Sequence, residues 1–350
     1  MKRSFPVLVL FALLTLLVPL AASALTGFVP PASPTSASTP AAPQSTPQTP
    51  SASQAGGAAT SPALDAEAPM LLLDAATGEV KTVAMREFLI GSVASELPIS
   101  YQKEAFKAQT VATHSYALAS KAAQLLSPDA ALKGAYLRVN SSVHEGYMSE
   151  AELRAVWGDN YDAHYAYVSA AVDEVLHEVL MYDGAPALAT YYAISNGKTE
   201  ASEAVWTTAL PYLVRVDAPL DKTSPDYEVK TEMPAQQVYD ALTLKFKALN
   251  LSGKPAEWFG EPTRTESGYI ATIPCGGQVL RGIDVRAALG LRSADFTVTC
   301  DENNTFTFVT RGYGHGVGLS QFTANTLAVT GKTYRDILAY FYPGTTLATL

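Results

Sequence analysis

The sequence predicts an α+β fold, with mixed helices and short, largely antiparallel sheets around one cleft. Three observations point there. Helical and strand patterns interleave without a sustained strand–helix–strand alternation. The segment "VLMYDGAPALATYYAIS" alternates about an Asp183–Gly184 pair, the strongest short hairpin signal. Phosphate loops, dinucleotide fingerprints and internal repeats, which would favour a doubly wound sheet or a solenoid, do not occur.

The first part of the 350-residue chain does not read as a domain. Residues 1–24 carry Lys2 and Arg3, an apolar run and a small-residue "ASA" at 22–24, the pattern of a secretory signal. Cleavage after Ala24 and retention as a membrane anchor both fit. Residues 25–68 are dominated by Pro, Ser, Thr and Ala, which bury too little apolar surface to offset the entropy of ordering, so they read as a disordered tether. Residues 69–350 form the folded region, on an exported chain facing the cell envelope. The formal net charge of −9 argues against nucleic acid as a partner, since phosphate binding needs a basic face. Cys275 and Cys300 suit one disulfide in an exported chain, and neither has a catalytic setting.

Each element has its own signal. "MREFLIGSVASELP" spaces Met85, Phe88, Leu89 and Val93 helically and stops at Pro98. Ser100 is placed to cap the next helix, "YQKEAFKAQTVATHSYALASKAAQLL". Its small-residue stripe of Ala105, Ala108, Val111, Ala112 and Ser115 implies close packing. "AYLRVN" reads as a strand, and Ser149 with Glu152 makes a capping box before a short helix ending at Gly158. A longer helix precedes the hairpin. Strands are expected at 212–217 and 227–231, then a helix at 235–249. "GYIATIP", "DFTVTC" and "TFTFVTR" are strands, with "RGIDVRAALG" a helix among them, and helices at 319–329 and 334–341 close the chain.

Two stretches invite chemistry. "RGYGHGVGLSQF" puts glycine at four of the seven positions from Gly312 to Gly318, around His315. Such a sequence gives up backbone entropy for positive φ and close approach by another backbone or a ligand. His315 is then either a packed corner residue or a ligand contact. Glu96 follows an apolar helix end and precedes Leu97 and Pro98, a break where a carboxylate can enter a cleft and, desolvated, remain a proton donor near neutrality. A surface glutamate at a helix end is the alternative.

"FLIGSVASELPISYQKEAFKAQTVATHSYAL", "YYAISNGKTEASEAVWTTALPYLVRVDAPLD" and "GYGHGVGLSQFTANTLAVTGKTYRDILAYFYPGTTL" resemble, in order, the three blocks of the stage II sporulation protein D (SpoIID) family. The resemblance makes 69–350 a SpoIID-like catalytic domain. It implies a lytic transglycosylase that cuts peptidoglycan glycan strands stripped of stem peptides, in sporulation and engulfment, beside an amidase partner. It places the catalytic acid on Glu96 and lines the cleft with Lys107, Gln109, His114 and Tyr116. A glycan-contacting loop falls on Ser195, Lys198 and Thr199 around Gly197, and His315, Ser320 and Gln321 match the last block. His114 stands where the family commonly has arginine. Asn196 replaces a frequent glycine, which asparagine tolerates through its acceptance of positive φ. Some relatives carry a Cys/His zinc cluster near "NSSVHEGY", where this chain offers only His144, so no metal and no cofactor is expected.

A single carboxylate suffices for such a reaction. It protonates the bridging oxygen between N-acetylmuramic acid and N-acetylglucosamine, and the muramic C6 hydroxyl attacks in place of water. The 18 tyrosines and three tryptophans suit sugar stacking, with Tyr191, Tyr192, Trp206 and Tyr212 as candidates. A non-catalytic glycan-binding enhancer of an amidase is the rival reading.

Overall fold

The computed structural model describes residue 65 and residues 67–206 and 208–350. Residues 1–24, where an export signal is expected, and nearly all of 25–68, the expected tether, lie outside the described residues. The architecture is α+β, built from helices and five small sheets.

Strands β1 (Met70–Asp74) and β2 (Val80–Val83) form an antiparallel pair, followed by α1 (Met85–Glu96). Helix α1 buries Phe88, Leu89, Ile90 and Val93 and ends where Leu97, preceding Pro98, turns extended at φ −109° and ψ 136°. Glu96 is thus its last helical residue. Helix α2 (Lys103–Leu126) begins two residues beyond the capping site expected at Ser100. Its N-cap is Gln102, whose backbone N–H donates to Asn325 Oδ1 (2.8 Å). The small-residue stripe is fully buried, and Ser115 Oγ accepts from the Leu180 N–H (2.7 Å), tying the helix to a strand. Strand β3 (Leu137–Val139) adds to β1 in parallel.

Helix α3 (Glu150–Trp157) carries both halves of the capping box between Ser149 and Glu152. Helix α4 (Tyr161–Asp173) leads to the hairpin of β4 (Glu178–Tyr182) and β5 (Ala185–Pro186). Asp183 and Gly184 both take positive φ (49° and 76°), as a tight hairpin turn of right-handed twist requires. Strand β6 (Tyr191–Tyr192) leaves that hairpin for a different sheet, and α5 (Ser202–Trp206) follows. The strand expected at 212–217 is not formed. Tyr212 and Leu213 sit in the core, and only Asp217 makes an isolated bridge, to Lys198.

Strand β7 (Glu228–Pro234), α6 (Ala235–Lys245), β8 (Thr263–Arg264), β9 (Ile270–Cys275), β10 (Gln278–Arg281), α7 (Gly282–Leu289), β11 (Phe296–Cys300) and β12 (Thr305–Arg311) come next. They make two three-stranded antiparallel sheets, ordered β10-β9-β8 and β11-β12-β7. This lobe has its own core of Trp258, Phe296, Phe306, Phe308 and Val285, while two other clusters fill the rest of the molecule. The disulfide compatible with the sequence is absent. Cys275 is buried in β9, Cys300 is half-buried at the end of β11, and both are free thiols. The chain then forms β13 (Leu319–Ser320), parallel to β6, then α8 (Gln321–Val329), α9 (Tyr334–Phe341) and β14 (Thr346–Thr349), which pairs with β4.

Candidate active site

One cleft gathers Glu96 from α1, Tyr116 from α2, Tyr191 and Tyr192 from β6, and His315 and Gln321 from the last block. Residues from opposite ends of the folded region therefore share a site, as the motifs predict. Its lining is mostly apolar and aromatic, the character of a small-molecule or sugar site with few polar groups.

Glu96 is only 5% exposed, and burial pushes its pKa up to about 7. A hydrogen bond from Gln321 Nε2 (3.2 Å) opposes that shift, and the charge of Glu145 adds to it. The carboxyl thus keeps its proton across the acid side of neutrality. Gln321 Nε2 also reaches Gln109 Oε1 (3.5 Å), and Gln109 Nε2 donates to Thr113 Oγ1 (3.2 Å). Gln109 is fully buried and acts on the site through Gln321.

The placement of Gln321 rests on Asp221, which the sequence motifs include but single out for no role. Its buried carboxylate accepts from the Ser195 N–H (2.7 Å), Ser320 Oγ (2.7 Å) and Thr323 Oγ1 (2.8 Å). Ser320 also caps α8 by accepting from the Thr323 N–H (3.4 Å). Burial raises the Asp221 pKa despite these bonds.

The glycines of the last block answer to the protein's own chain. A Cβ on Gly318 would lie 2.0 Å from the Thr190 carbonyl oxygen, and one on Gly312 would lie 2.7 Å from that of Ile194. Both take positive φ (85° and 81°). The loop is laced to residues 190–194, with Tyr313 N–H donating to Ile194 O (2.6 Å) and Leu319 N–H to Thr190 O (3.1 Å).

His315 is a packed residue that also borders the cleft. It lines the cleft, yet is 7% exposed and packed against the Tyr192 and Trp206 rings at centroid distances of 5.6 and 5.1 Å. Its Nδ1 accepts from the Val317 N–H (3.1 Å). Burial and the nearby Arg286 charge hold its pKa down to about 3, against the pull of the Tyr191 carbonyl, so the imidazole is neutral.

Other candidates stand away from the cleft lining. Lys107 pairs with Glu104 (2.7 Å) and Glu174 (3.2 Å) and lies over the Tyr334 ring. His114 is buried inside the protein. Ser195 Oγ accepts from the Gly197 N–H (3.0 Å), and Thr199 Oγ1 donates to Val214 O (2.9 Å), so both order the loop rather than face the cleft. Lys198 is exposed outside it. Asn196 does not use positive φ as expected. Gly197 beside it does (φ 109°), and Asn196 Nδ2 donates to Ser267 O (2.9 Å) and Asp295 Oδ2 (3.1 Å). Trp206 stands behind His315, and Tyr212 is a core residue whose hydroxyl accepts from the Leu188 N–H (2.9 Å). Among the described residues no three His, Cys, Asp or Glu side chains form a group able to hold a metal ion.

Fold and site together define a protein with a buried glutamic acid, its pKa raised to about 7, in an aromatic cleft assembled from three separate sequence blocks. The SpoIID family model, described as stage II sporulation protein, matches residues 74–182. The chain is 36% identical over 276 residues to stage II sporulation protein D of Bacillus subtilis (strain 168), covering 78% of this chain and 77% of that protein. It is 34% identical to the protein of the same name from Bacillus amyloliquefaciens, covering 76% and 74%. A more distant relative, 27% identical over 74% of this chain and 40% of its own length, is the amidase enhancer of B. subtilis. This chain belongs to the stage II sporulation protein D family.

Proposed function

We propose that this chain is an exported lytic transglycosylase of the cell wall, acting on peptidoglycan glycan strands during sporulation. The observation that carries the reading is Glu96, a carboxyl raised to about 7 by burial at the bottom of an aromatic cleft. Its proton goes to the oxygen bridging N-acetylmuramic acid and N-acetylglucosamine as that bond breaks. Positive charge then builds on the muramic ring, and the ring's own C6 hydroxyl closes on C1 to give a 1,6-anhydro end. An internal nucleophile makes an activated water unnecessary. Tyr116, Tyr191 and Tyr192 line the cleft and are the candidates for stacking on the sugars. The N-terminal signal would deliver the domain to the wall, with the tether giving reach from a membrane surface if the signal is kept.

The test is incubation of the purified chain with glycan strands freed of stem peptides, with products identified by mass. Anhydro-ended fragments are expected from the unaltered chain and none from Glu96→Gln, which should still bind strands. Reducing ends, or product from Glu96→Gln at an undiminished rate, would overturn the reading. Similarity to the amidase enhancer favours a second reading, a glycan-binding partner of an amidase with no turnover of its own. Under that reading both proteins release nothing, and both raise the rate of an added cell-wall amidase equally.

A further inference from the structure

A second carboxyl group shares the cleft with Glu96. Glu145 is 8% exposed, lines the same cleft, and its side chain has no hydrogen-bond partner among the described residues. The fold holds it at a set position relative to Glu96. Its backbone pairs with Asn140 in both directions (3.0 Å each), closing the loop that follows β3. The next residue, Gly146, offers its carbonyl to Ser92 Oγ (2.7 Å), and the Met148 N–H donates to Gly91 O (3.2 Å). Ser92 lies one helical turn before Glu96 on α1, so these bonds register Glu145 against the acid. Gly91 itself is required, because a Cβ there would meet Met148 O at 2.2 Å. Burial raises the Glu145 pKa with no hydrogen bond or opposite charge to offset it.

We propose that Glu145 is the base of the reaction, taking the proton of the attacking hydroxyl while Glu96 supplies the proton to the leaving oxygen. The proposal rests on the glycan-cleavage reading above and divides its acid and base work between two residues. The proton of Glu96 passes to the bridging oxygen as the C1–O bond breaks, leaving Glu96 ionised. O6 of the muramic ring forms its bond to C1, and its proton passes to Glu145. One proton is given and one received, and return of the proton from Glu145 to Glu96, directly or through solvent, resets the pair. Burial raises Glu145 to about 7 as well, and its charge helps keep Glu96 protonated, so the singly protonated pair is the working form near neutrality. Asp129 and Arg138 are the other charged groups on the cleft wall. The phenols of Tyr116, Tyr136, Tyr191 and Tyr313 also face it, together with the neutral ring of His315.

The experiment follows product release against pH for the unaltered chain, Glu145→Gln and Glu145→Ala, using strands freed of stem peptides. Glu145→Gln should lower turnover ~100-fold or more at unchanged strand affinity. It should abolish the acidic limb of the profile and move the alkaline limb to lower pH, because the charge that raises Glu96 is gone. Added formate should restore part of the rate to Glu145→Ala. Turnover of Glu145→Gln within about twofold of the unaltered chain, or an acidic limb that stays in place, overturns this proposal and leaves the role of Glu96 standing. Absence of product from the unaltered chain removes both. Carbon-13 titration of the carboxyls in the unaltered chain reads the pair without any substitution. Across the active pH range one of the two must be ionised, and full protonation of both there also overturns the proposal.

Discussion

Glu96 carries a stability consequence opposite to that of an ordinary surface acid. Its folded pKa of about 7 lies above the unfolded value of 4.5. Below pH 4.5 both states hold the proton, and its contribution is neutral. As pH rises towards 7 the unfolded chain releases that proton while the folded chain keeps it, so stability falls across this window and levels off above it. A shift of this size corresponds to about 3 kcal/mol at pH 8. Glu96→Gln keeps the shape, and its amide oxygen can still accept from Gln321. The variant should therefore match the unaltered chain in denaturant midpoint at pH 4 and exceed it by about 1–3 kcal/mol at pH 8. Equal midpoints at both pH values would mean that the buried carboxyl is not held against its own ionisation. The group proposed to do the chemistry is thus one whose removal should make the fold stronger.

At the scale of elements, the glycine loop between β12 and β13 is a joint in the fold before it is a binding loop. Gly318→Ala meets two penalties, a left-handed backbone and a Cβ on top of the Thr190 carbonyl. Together these should cost about 2–4 kcal/mol in chemical denaturation. Gly290, at the C-terminus of α7, has positive φ (63°) but open space around a Cβ. Gly290→Ala should cost only about 1 kcal/mol, the backbone part alone. Equal losses at the two sites would contradict the close-approach account. The same contrast between local and distant causes marks what could be read from sequence. The Ser149 capping box and the Asp183–Gly184 turn were legible because a few neighbouring residues decide them. The start of α2 was not, since the side chain that holds Gln102 at its N-cap position, Asn325, arrives from the far end of the chain. The place of Glu96 in a cleft follows from its motif, whereas nothing in the sequence around Glu145 singles it out. Its burial comes from α1 and the cleft wall, which no local pattern announces. In the loop at Ser195 and Thr199, the Ser195 N–H is bonded to Asp221 and both hydroxyls are bonded to the backbone, which the local sequence does not announce.

For the whole molecule, the arrangement of β7 through β12 separates a structural lobe from the cleft. Its core shares no residue with the two clusters that surround Glu96, and the cleft lining takes nothing from residues 228–311. The lobe nonetheless abuts the site from behind, through Tyr269, whose hydroxyl donates to Lys198 O (3.2 Å), and through the Arg286 charge near His315. Its first strand is an edge and its last the centre of one sheet, with Glu228 opposite Arg311. Just outside them the Gly312 N–H donates to Tyr227 O (2.7 Å). The chain therefore leaves the body and re-enters it at the same doorway. A protein built this way can change the size of such an annex without moving the walls of the room. Replacing residues 228–311 by a short Gly/Ser bridge should yield a folded body that retains helical circular dichroism and strand binding, with a lowered melting temperature from the loss of support behind Tyr192 and His315. Complete unfolding of that shortened chain would show that the annex is a bearing wall.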